Sequence, residues 1–220
     1  PDDSERVDGL PLRPHAPSRI EIVMSGQGFS GLTVAAFESR MAREMTRLIE
    51  HHGGHARVVP ALQEIPIQDN PAALRFGAKL IDGSVDILIL MTGIGTTALF
   101  DILRSRHPMA SIIAGLTHTA IVARGPKPVG AFKALGLTPT LTVPEPNTWV
   151  EVVSTLDEYR PFKGLRVAVQ EYGTSNPELL EALRQRGAEV FPVPIYRWAL
   201  PQDRGPLMLV LCVCLPGTVQ

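Results

Sequence analysis

Three apolar segments of the sequence are each followed by a turn that contains glycine and either cations or hydrogen-bond donors. The turns are Thr92-Gly93-Ile94-Gly95-Thr96-Thr97, Arg124-Gly125-Pro126-Lys127-Pro128 and Gln170-Glu171-Tyr172-Gly173-Thr174-Ser175. Glycine lets backbone N–H groups approach an anion, and the start of a helix carries partial positive charge. Ligands of open α/β sheets bind beyond the carboxyl ends of the strands. Together the turns predict a concave anion-binding rim, although each turn by itself also fits an ordinary structural role.

The same turns fit nucleotide-binding fingerprints poorly. The sequence contains no Gly-x-x-x-x-Gly-Lys-Ser/Thr motif, and Gly93-Ile94-Gly95 is followed by Ala98 where Gly-x-Gly-x-x-Gly has its third glycine. Alanine is sometimes allowed there, but no acidic residue clearly ends the next strand to hold a ribose. A nucleotide-dependent enzyme is therefore a hypothesis that depends on Gly93-Ile94-Gly95 alone.

Two groups of residues are candidate metal ligands. His51, His52 and His55 cluster near the end of a predicted helix, where cations favour the helix dipole. No thiol lies nearby, and capping is favoured over a metal. Cys212 and Cys214 lie two residues apart, with no second pair at matching spacing, and also fit an apolar run. The sequence predicts no metal site.

Composition excludes several classes of function. The 220 residues carry a formal net charge of −1, so no overall field attracts nucleic acid or an anionic membrane. The apolar run Ile87–Met91 is too short to cross a bilayer. The first residues lack the layout of a secretory signal, and the cytoplasm is the expected compartment. We expect no nucleic-acid partner and no membrane association.

The rim must be positioned by alternating strands and helices. Predicted strands are Leu32–Phe37, Val58–Leu62, Asp86–Met91, Thr119–Ala123, Leu141–Val143, Leu165–Val169 and Glu189–Tyr196. Predicted helices are a segment around Met41–Ile49, Thr96–Arg104, Pro128–Leu135, Trp149–Leu156 and Pro177–Gln185. This alternation predicts parallel, doubly wound sheets. Residues 1–18 are predicted to be a loose leader, and Ile20–Met24 a short strand.

One βαβ pattern occurs twice. Glu44, Gly53 and Pro60 align with Glu178, Gly187 and Pro194 at one constant offset. The offset is too long for a solenoid repeat, so the repetition predicts two lobes with a common plan.

The order and spacing of four motifs resemble uroporphyrinogen-III synthases, in particular the bacterial branch, over about residues 32–200. The motifs are Thr92-Gly-Ile-Gly95, Ala123-Arg-Gly-Pro-Lys127 followed by Gly130 and Ala-Leu-Gly136-Leu, Val167-Ala-Val-Gln170-x-x-Gly173, and Val193-Pro-Ile-Tyr196-Arg-Trp198. The resemblance implies two α/β lobes, each a doubly wound parallel sheet, joined by a two-stranded hinge near residues 63–68 and 193–200.

The resemblance also implies domain boundaries. Residues 1–31 are an N-terminal extension, 32–66 with 200–220 form lobe 1, and 67–199 form lobe 2. A full-length member continues with further strand–helix units after Gly205, whereas the apolar run Leu207–Leu215 matches no family segment. Lobe 1 is therefore expected to be incomplete.

As activity, the resemblance implies cyclisation of hydroxymethylbilane, with inversion of its last ring and loss of water, in tetrapyrrole biosynthesis. No metal or organic cofactor is implied, and we expect a monomer. Tyr196 matches the family tyrosine that faces the cleft and is the candidate for assisting departure of the hydroxyl group; its alternative role is packing at the hinge. The candidate substrate-binding residues are Thr92, Gly93, Gly95, Thr96, Arg124, Gly125, Lys127, Gln170, Gly173, Thr174 and Ser175.

The chain departs from the family pattern at several rim positions. Gly93 stands where many members have serine, Pro128 where distant members have a hydroxyl residue, and Thr174 where others have a cation. These departures favour a site dominated by backbone groups. They also leave open a second function, a non-catalytic module of the same fold that binds a tetrapyrrole or another anion.

Overall fold

The computed structural model describes residues 28–67 and 70–214. Its elements in chain order are β1 (Thr33–Phe37), α1 (Ala42–His51), β2 (His55–Val59), β3 (Gln63–Pro66), α2 (Pro71–Ile81), β4 (Ile87–Leu90), α3 (Gly93–Arg104), α4 (Met109–Leu116), β5 (Ala120–Ala123), α5 (Pro126–Lys133), β6 (Leu141–Thr142), α6 (Trp149–Tyr159), β7 (Arg166–Gly173), α7 (Pro177–Gln185), β8 (Glu189–Ala199) and α8 (Gly205–Cys214). None of these helices is long and apolar enough to cross a bilayer. The predicted strand Ile20–Met24 and most of the N-terminal extension lie outside the described residues.

The strands form two sheets. The large sheet has the order β3-β8-β7-β4-β5-β6, and all of its neighbouring strands are parallel except β3, which runs antiparallel to β8. The small sheet is the parallel pair β1–β2. The prediction of an α/β fold with parallel, doubly wound sheets is confirmed.

Alternating residues of β4 explain why the large sheet is covered on both faces. Leu88 and Leu90 belong to one buried cluster, with Phe100 of α3, whereas Ile87 and Ile89 belong to a second cluster on the other face. Successive side chains of a strand point to opposite faces. A strand covered by helices on both sides must be apolar at every position, which is the pattern of β4.

The predicted hinge is an antiparallel pair at the edge of the large sheet. Strand β3 pairs with the end of β8, so that Glu64 lies opposite Trp198 and Pro66 opposite Tyr196. The buried Asn70 caps α2 by accepting from the Ala73 N–H, and its amide donates to the carbonyl oxygen of Pro194 at 2.6 Å. This contact ties the start of α2 to β8.

The small sheet has a much smaller core, in which Val59 packs against Leu207 and Val210 of α8. The sequence predicted neither a helix nor a strand for the apolar run Leu207–Leu215. In the structure, residues Leu207–Cys214 of this run belong to helix α8.

Several predicted boundaries also shift: α3 begins at Gly93 rather than Thr96, and β8 ends at Ala199 rather than Tyr196. Strand β2 spans His55–Val59 instead of the predicted Val58–Leu62. Strand β7 continues beyond its predicted end at Val169 to Gly173.

Candidate functional site

A cleft of about 1030 Å³ opens at the carboxyl ends of β4 and β5. It is lined by Arg40, Glu64, Met91, Thr92, Gly93, Ile94, Thr97, Ala98, Asp101, Arg124, Gly125, Pro126, Lys127, Pro128, Gly130, Ala131, Asn147, Tyr172, Tyr196 and Trp198. Six of the predicted site residues are among them: Thr92, Gly93, Arg124, Gly125, Lys127 and Tyr196. The structure thus brings two of the three predicted turns, together with Tyr172 of the third, to one cleft.

The first turn is organised by Thr92, the N-cap residue of α3. The Thr92 Oγ1 accepts from the Gly95 N–H at 3.0 Å, and the Thr96 hydroxyl donates to the Thr92 carbonyl oxygen at 2.7 Å. Gly95 and Thr96 are buried inside the first turn of α3 and do not line the cleft. They support the turn from within rather than contact the cleft.

Gln170 holds the same turn from behind. Its side chain is completely buried, and its Oε1 accepts from the N–H groups of Met91 at 3.1 Å and Thr92 at 3.2 Å. A Cβ atom at Gly95 would lie 2.1 Å from the Gln170 Nε2, so α3 can approach this amide only through glycine. Gln170 therefore fixes the backbone that presents Thr92 and does not itself reach the cleft.

Gly93 allows the first two turns to meet. A Cβ atom at Gly93 would lie 2.8 Å from the Lys127 carbonyl oxygen and 3.1 Å from its carbonyl carbon. A serine at this position would force the backbone of one helix start away from the other. Because Gly93 has no side chain, the N-termini of α3 and α5 stand side by side at the cleft, where both favour negative charge.

Arg124 and Lys127 bring two cations to this edge. The Arg124 Nη1 donates to the Tyr172 hydroxyl at 2.9 Å, and its guanidinium lies 4.9 Å from the Tyr172 ring centroid. Lys127 is exposed and has no ion-pair partner among the residues that the structure describes. The Asn147 amide packs against Gly125 and, when it is oriented to donate, bonds the carbonyl oxygen of Arg124 at 2.8 Å.

The third predicted turn reaches the cleft only through Tyr172. Strand β7 runs on beside β8 as far as Gly173, which carries Thr174 and Ser175 past the cleft; both are exposed, and the Ser175 hydroxyl donates to a Glu171 carboxylate oxygen at 2.5 Å. Gly173 packs against the indole of Trp198 and does not line the cleft. Tyr172, which the sequence reading did not select, lines it instead.

Tyr196 lies at the inner wall of the cleft and is 6% exposed. Burial raises the pKa of its hydroxyl above the ordinary value of 10.0, a hydrogen bond with the Thr92 side chain lowers the pKa, and the charge of Glu64 raises it. The net direction is upward. Tyr196 is therefore protonated at neutral pH, and its hydroxyl can act as a hydrogen-bond donor.

Sequence reasoning missed other residues at the cleft, notably Trp198, Arg40 and Glu64. Trp198 stands two residues beyond Tyr196, and period-two alternation along β8 would have placed both on one face. Arg40 comes from the loop before α1, and its Nη1 lies 3.4 Å from the Glu64 Oε1. No sequence signal joins Arg40 to the cleft, because their contact depends on how the two sheets pack. No cluster of three potential metal ligands occurs among the described residues.

These features define the class of protein: a doubly wound α/β protein with a second sheet beside a hinge and a cleft at the carboxyl ends of its strands. The chain belongs to the uroporphyrinogen-III synthase family, because the family model described as uroporphyrinogen-III synthase HemD matches residues 43–210. That match covers the whole large sheet, β2 of the small sheet, and every residue that lines the cleft except Arg40.

Relatives and solved structures agree with this assignment. The Bacillus subtilis protein named Uncharacterized protein YjjA is 28% identical over 181 residues, which are 81% of this chain and 65% of that protein. This chain thus spans slightly less than two thirds of that relative.

A mutant uroporphyrinogen III synthase from the extremely thermophilic bacterium Thermus thermophilus superposes with a TM-score of 0.64 at 24% identity, covering 84% of this chain and 69% of that chain. The wild-type protein superposes with a TM-score of 0.56 at 25% identity, covering 83% and 68%. The likeness establishes a shared fold.

Proposed function

We propose that this chain carries the activity of its family, cyclising hydroxymethylbilane with inversion of ring D and loss of water. The observation that carries the proposal is the position of Tyr196 beside Thr92 at the inner wall of the cleft, where burial raises the pKa of its hydroxyl. A protonated donor next to a helix start and two cations is suited to an anionic substrate that must lose a hydroxyl group.

The substrate's carboxylates would be held at the outer part of the cleft. Arg124, Lys127, and the backbone N–H groups at the starts of α3 and α5 offer charge and hydrogen-bond donors on one side. Holding several carboxylates at once fixes the linear chain of rings in a folded conformation. Because ring closure is intramolecular, this positioning supplies much of the catalysis.

The chemistry then needs one proton donor. The electron pair of the terminal pyrrole nitrogen expels the hydroxyl group as the C–O bond breaks, and the Tyr196 hydroxyl gives its proton to the departing oxygen, which leaves as water. The resulting cation is attacked by the ring D carbon that already carries the bridging methylene, which forms a spiro intermediate. The bond between that carbon and the methylene then breaks, the methylene cation bonds to the free carbon on the other side of the ring D nitrogen, and the proton lost from this carbon restores Tyr196. The overall reaction is a dehydration that balances without metal or organic cofactor. We place the protein in the cytoplasm as a monomer, with no nucleic-acid partner.

A coupled assay tests the proposal. Porphobilinogen and hydroxymethylbilane synthase generate the substrate in place, and the oxidised products are separated into type I and type III isomers by chromatography. We expect type III in excess of the spontaneous type I background. Formation of type I only, by protein shown to be folded by circular dichroism, would contradict a catalytic role.

One observation favours the second candidate, a non-catalytic module that binds a tetrapyrrole or another anion. Among the described residues, Arg40 is the sole contribution of the segment before β3 to the cleft. A one-sided cleft can bind a ligand without enforcing the conformation that closes with inversion. Binding of a tetrapyrrole without formation of type III product would support this module.

A further inference from the structure

The cleft contains an exposed indole that the proposed chemistry does not use. Trp198 lies on β8 two residues beyond Tyr196, on the same face of the strand, and lines the cleft. It is 37% exposed. Large aromatic side chains carry much apolar area and contribute strongly to ligand contacts, so an indole left open in a cleft is a candidate binding surface.

The neighbouring strand β7 fixes the position of this indole. A Cβ atom at Gly173 would lie 1.6 Å from the Trp198 Nε1 and 1.8 Å from its Cδ1, so the indole can lie there only over a glycine. On another side the Tyr196 ring meets the indole edge-on, with centroids 5.9 Å apart and an interplanar angle of 87°. An indole held by contacts on β7 and β8 loses little conformational freedom when a ligand binds.

The other aromatic rings at the cleft are already engaged. The Tyr172 ring is covered by the Arg124 guanidinium, and Tyr196 is buried. Ile94, at the start of α3, is 40% exposed and adds a second apolar side chain to the cleft lining. The cleft therefore offers apolar surface as well as cations, which fits a ligand with flat rings and anionic substituents better than a compact polyanion.

We propose that Trp198 is a substrate-contacting residue that stacks on a pyrrole ring of the bound ligand. It thereby selects tetrapyrroles over polycarboxylates that lack rings. The proposal deepens the proposed function and rests on it for the chemical class of the ligand. Stacking on an indole requires only the face of a ring, so it does not depend on turnover.

Binding of two probes to three variants tests this role. Uroporphyrinogen I, kept reduced under anaerobic conditions, supplies pyrrole rings and eight carboxylates, and butane-1,2,3,4-tetracarboxylate supplies carboxylates without rings. Isothermal titration calorimetry compares the wild type with Trp198→Phe, Trp198→Leu and Trp198→Ala. The matched control is Trp149→Phe, which changes the other of the two tryptophans, a residue outside the cleft.

We expect Trp198→Leu and Trp198→Ala to weaken uroporphyrinogen I binding by about tenfold, which corresponds to about 1.4 kcal/mol. Trp198→Phe, which keeps a ring, should weaken it by less than about threefold. Tetracarboxylate binding should stay within about twofold in all variants, because the cations are unchanged. Equal loss for both probes, or unchanged uroporphyrinogen I binding by Trp198→Ala, would overturn the proposal.

A fluorescence measurement tests stacking on Trp198 even if Trp198→Leu and Trp198→Ala do not fold. In Trp149→Phe protein Trp198 is the sole tryptophan, and colourless uroporphyrinogen I should protect its emission from acrylamide quenching. Unchanged quenching at saturating ligand would contradict stacking. Type III formation combined with uroporphyrinogen I binding that does not depend on Trp198 would leave the proposed function standing and remove this inference. Ring-dependent binding that is lost with Trp198, without type III formation, would do the reverse.

Discussion

The two sheets of this protein differ in how completely their residues are buried. All four residues of β4 in the large sheet are buried, and helices cover both faces of the strand. The small sheet buries Val59, but Leu32, Phe37, Met208 and other apolar side chains around it are exposed. The large sheet thus carries the stable core and positions most of the cleft, whereas the small-sheet region contributes one arginine, Arg40, from the loop between β1 and α1. We expect stability, chemistry and binding to follow this division.

The largest expected effect is on the core of the large sheet. Phe100 is fully buried in α3, and Phe100→Ala should lower the free energy of unfolding by about 3–5 kcal/mol, because it leaves a cavity among close-packed side chains. Phe37→Ala is the matched change in the small sheet. Its side chain is 51% exposed, so the free energy should change by less than about 0.5 kcal/mol. Urea unfolding of both variants measures the two changes in the free energy of unfolding. Equal losses would contradict the difference in burial between the large and the small sheet as the source of stability.

Chemistry should depend on the large sheet through Tyr196. Tyr196→Phe removes the hydrogen-bond donor and keeps the ring, so kcat for type III formation should fall about ten- to hundredfold with little change in KM. This fall in kcat is small for the loss of an acid catalyst, because the pyrrole nitrogen helps to expel the hydroxyl group. Because burial raises the Tyr196 pKa above 10.0, the wild-type hydroxyl stays protonated through neutral and mildly alkaline pH. A Tyr196→Phe variant with wild-type kcat would assign Tyr196 to hinge packing.

Anion binding should also be unequal between the regions. Arg124 is half-buried against Tyr172, whereas the Arg40 side chain is 59% exposed. We expect Arg124→Gln to weaken uroporphyrinogen I binding by about five- to tenfold and Arg40→Gln by about two- to threefold, since solvent screens the exposed charge more strongly. Arg186→Gln, which breaks an ion pair with Asp157 away from the cleft, is the control. Calorimetry showing a larger loss for Arg40→Gln would reverse the comparison.

The sequence predicted the large sheet better than the small one for a physical reason. Strands covered on both faces, such as β4, are continuous apolar runs with clear ends, and α7 begins and ends where Asn176-Pro177 and Gly187 predict. The helix α8 is apolar throughout and has no face preference, so periodicity could not identify it. Helices α2 and α4 were not predicted, although Asn70-Pro71 is a start signal for α2.

The candidate site was predicted in part. The turns after β4 and β5 reached the cleft, because both strands end where their apolar runs end. Strand β7 continues past its apolar run because β8 pairs alongside it to Gly173, and this extension places Gln170 inside the sheet and Tyr172 at the cleft. Pairing between strands distant in sequence decides such ends. The composition of a segment does not indicate which distant strand it pairs with.

The smallest expected effect compares an ion pair within the large-sheet region with one that joins the large sheet to the loop before α1. The Asp86 carboxylate accepts from the Arg166 Nε at 2.9 Å and from the Arg166 N–H at 2.8 Å, joining β4 to β7, whereas Arg40 and Glu64 make one contact at 3.4 Å. Hydrogen bonds from the Arg166 side chain lower the Asp86 pKa below its ordinary value of 3.8. Asp86→Asn should therefore lower the free energy of unfolding by more than Glu64→Gln, which should change it by less than about 0.5 kcal/mol.

The pH dependence of that difference follows from the direction of the shift. A carboxyl group with a lowered pKa in the folded state adds stability above its unfolded pKa and loses it as the pH falls through the folded pKa. The gap between the wild type and Asp86→Asn should thus be complete above about pH 5. It should close as the pH falls below the unfolded pKa, whose ordinary value is 3.8, and on through the lower folded pKa. Urea unfolding from pH 7 to pH 2 measures it. A gap that stays constant over this range would mean that Asp86 acts through packing, and the ion pair within the large-sheet region would then no longer differ in kind from the contact between Arg40 and Glu64.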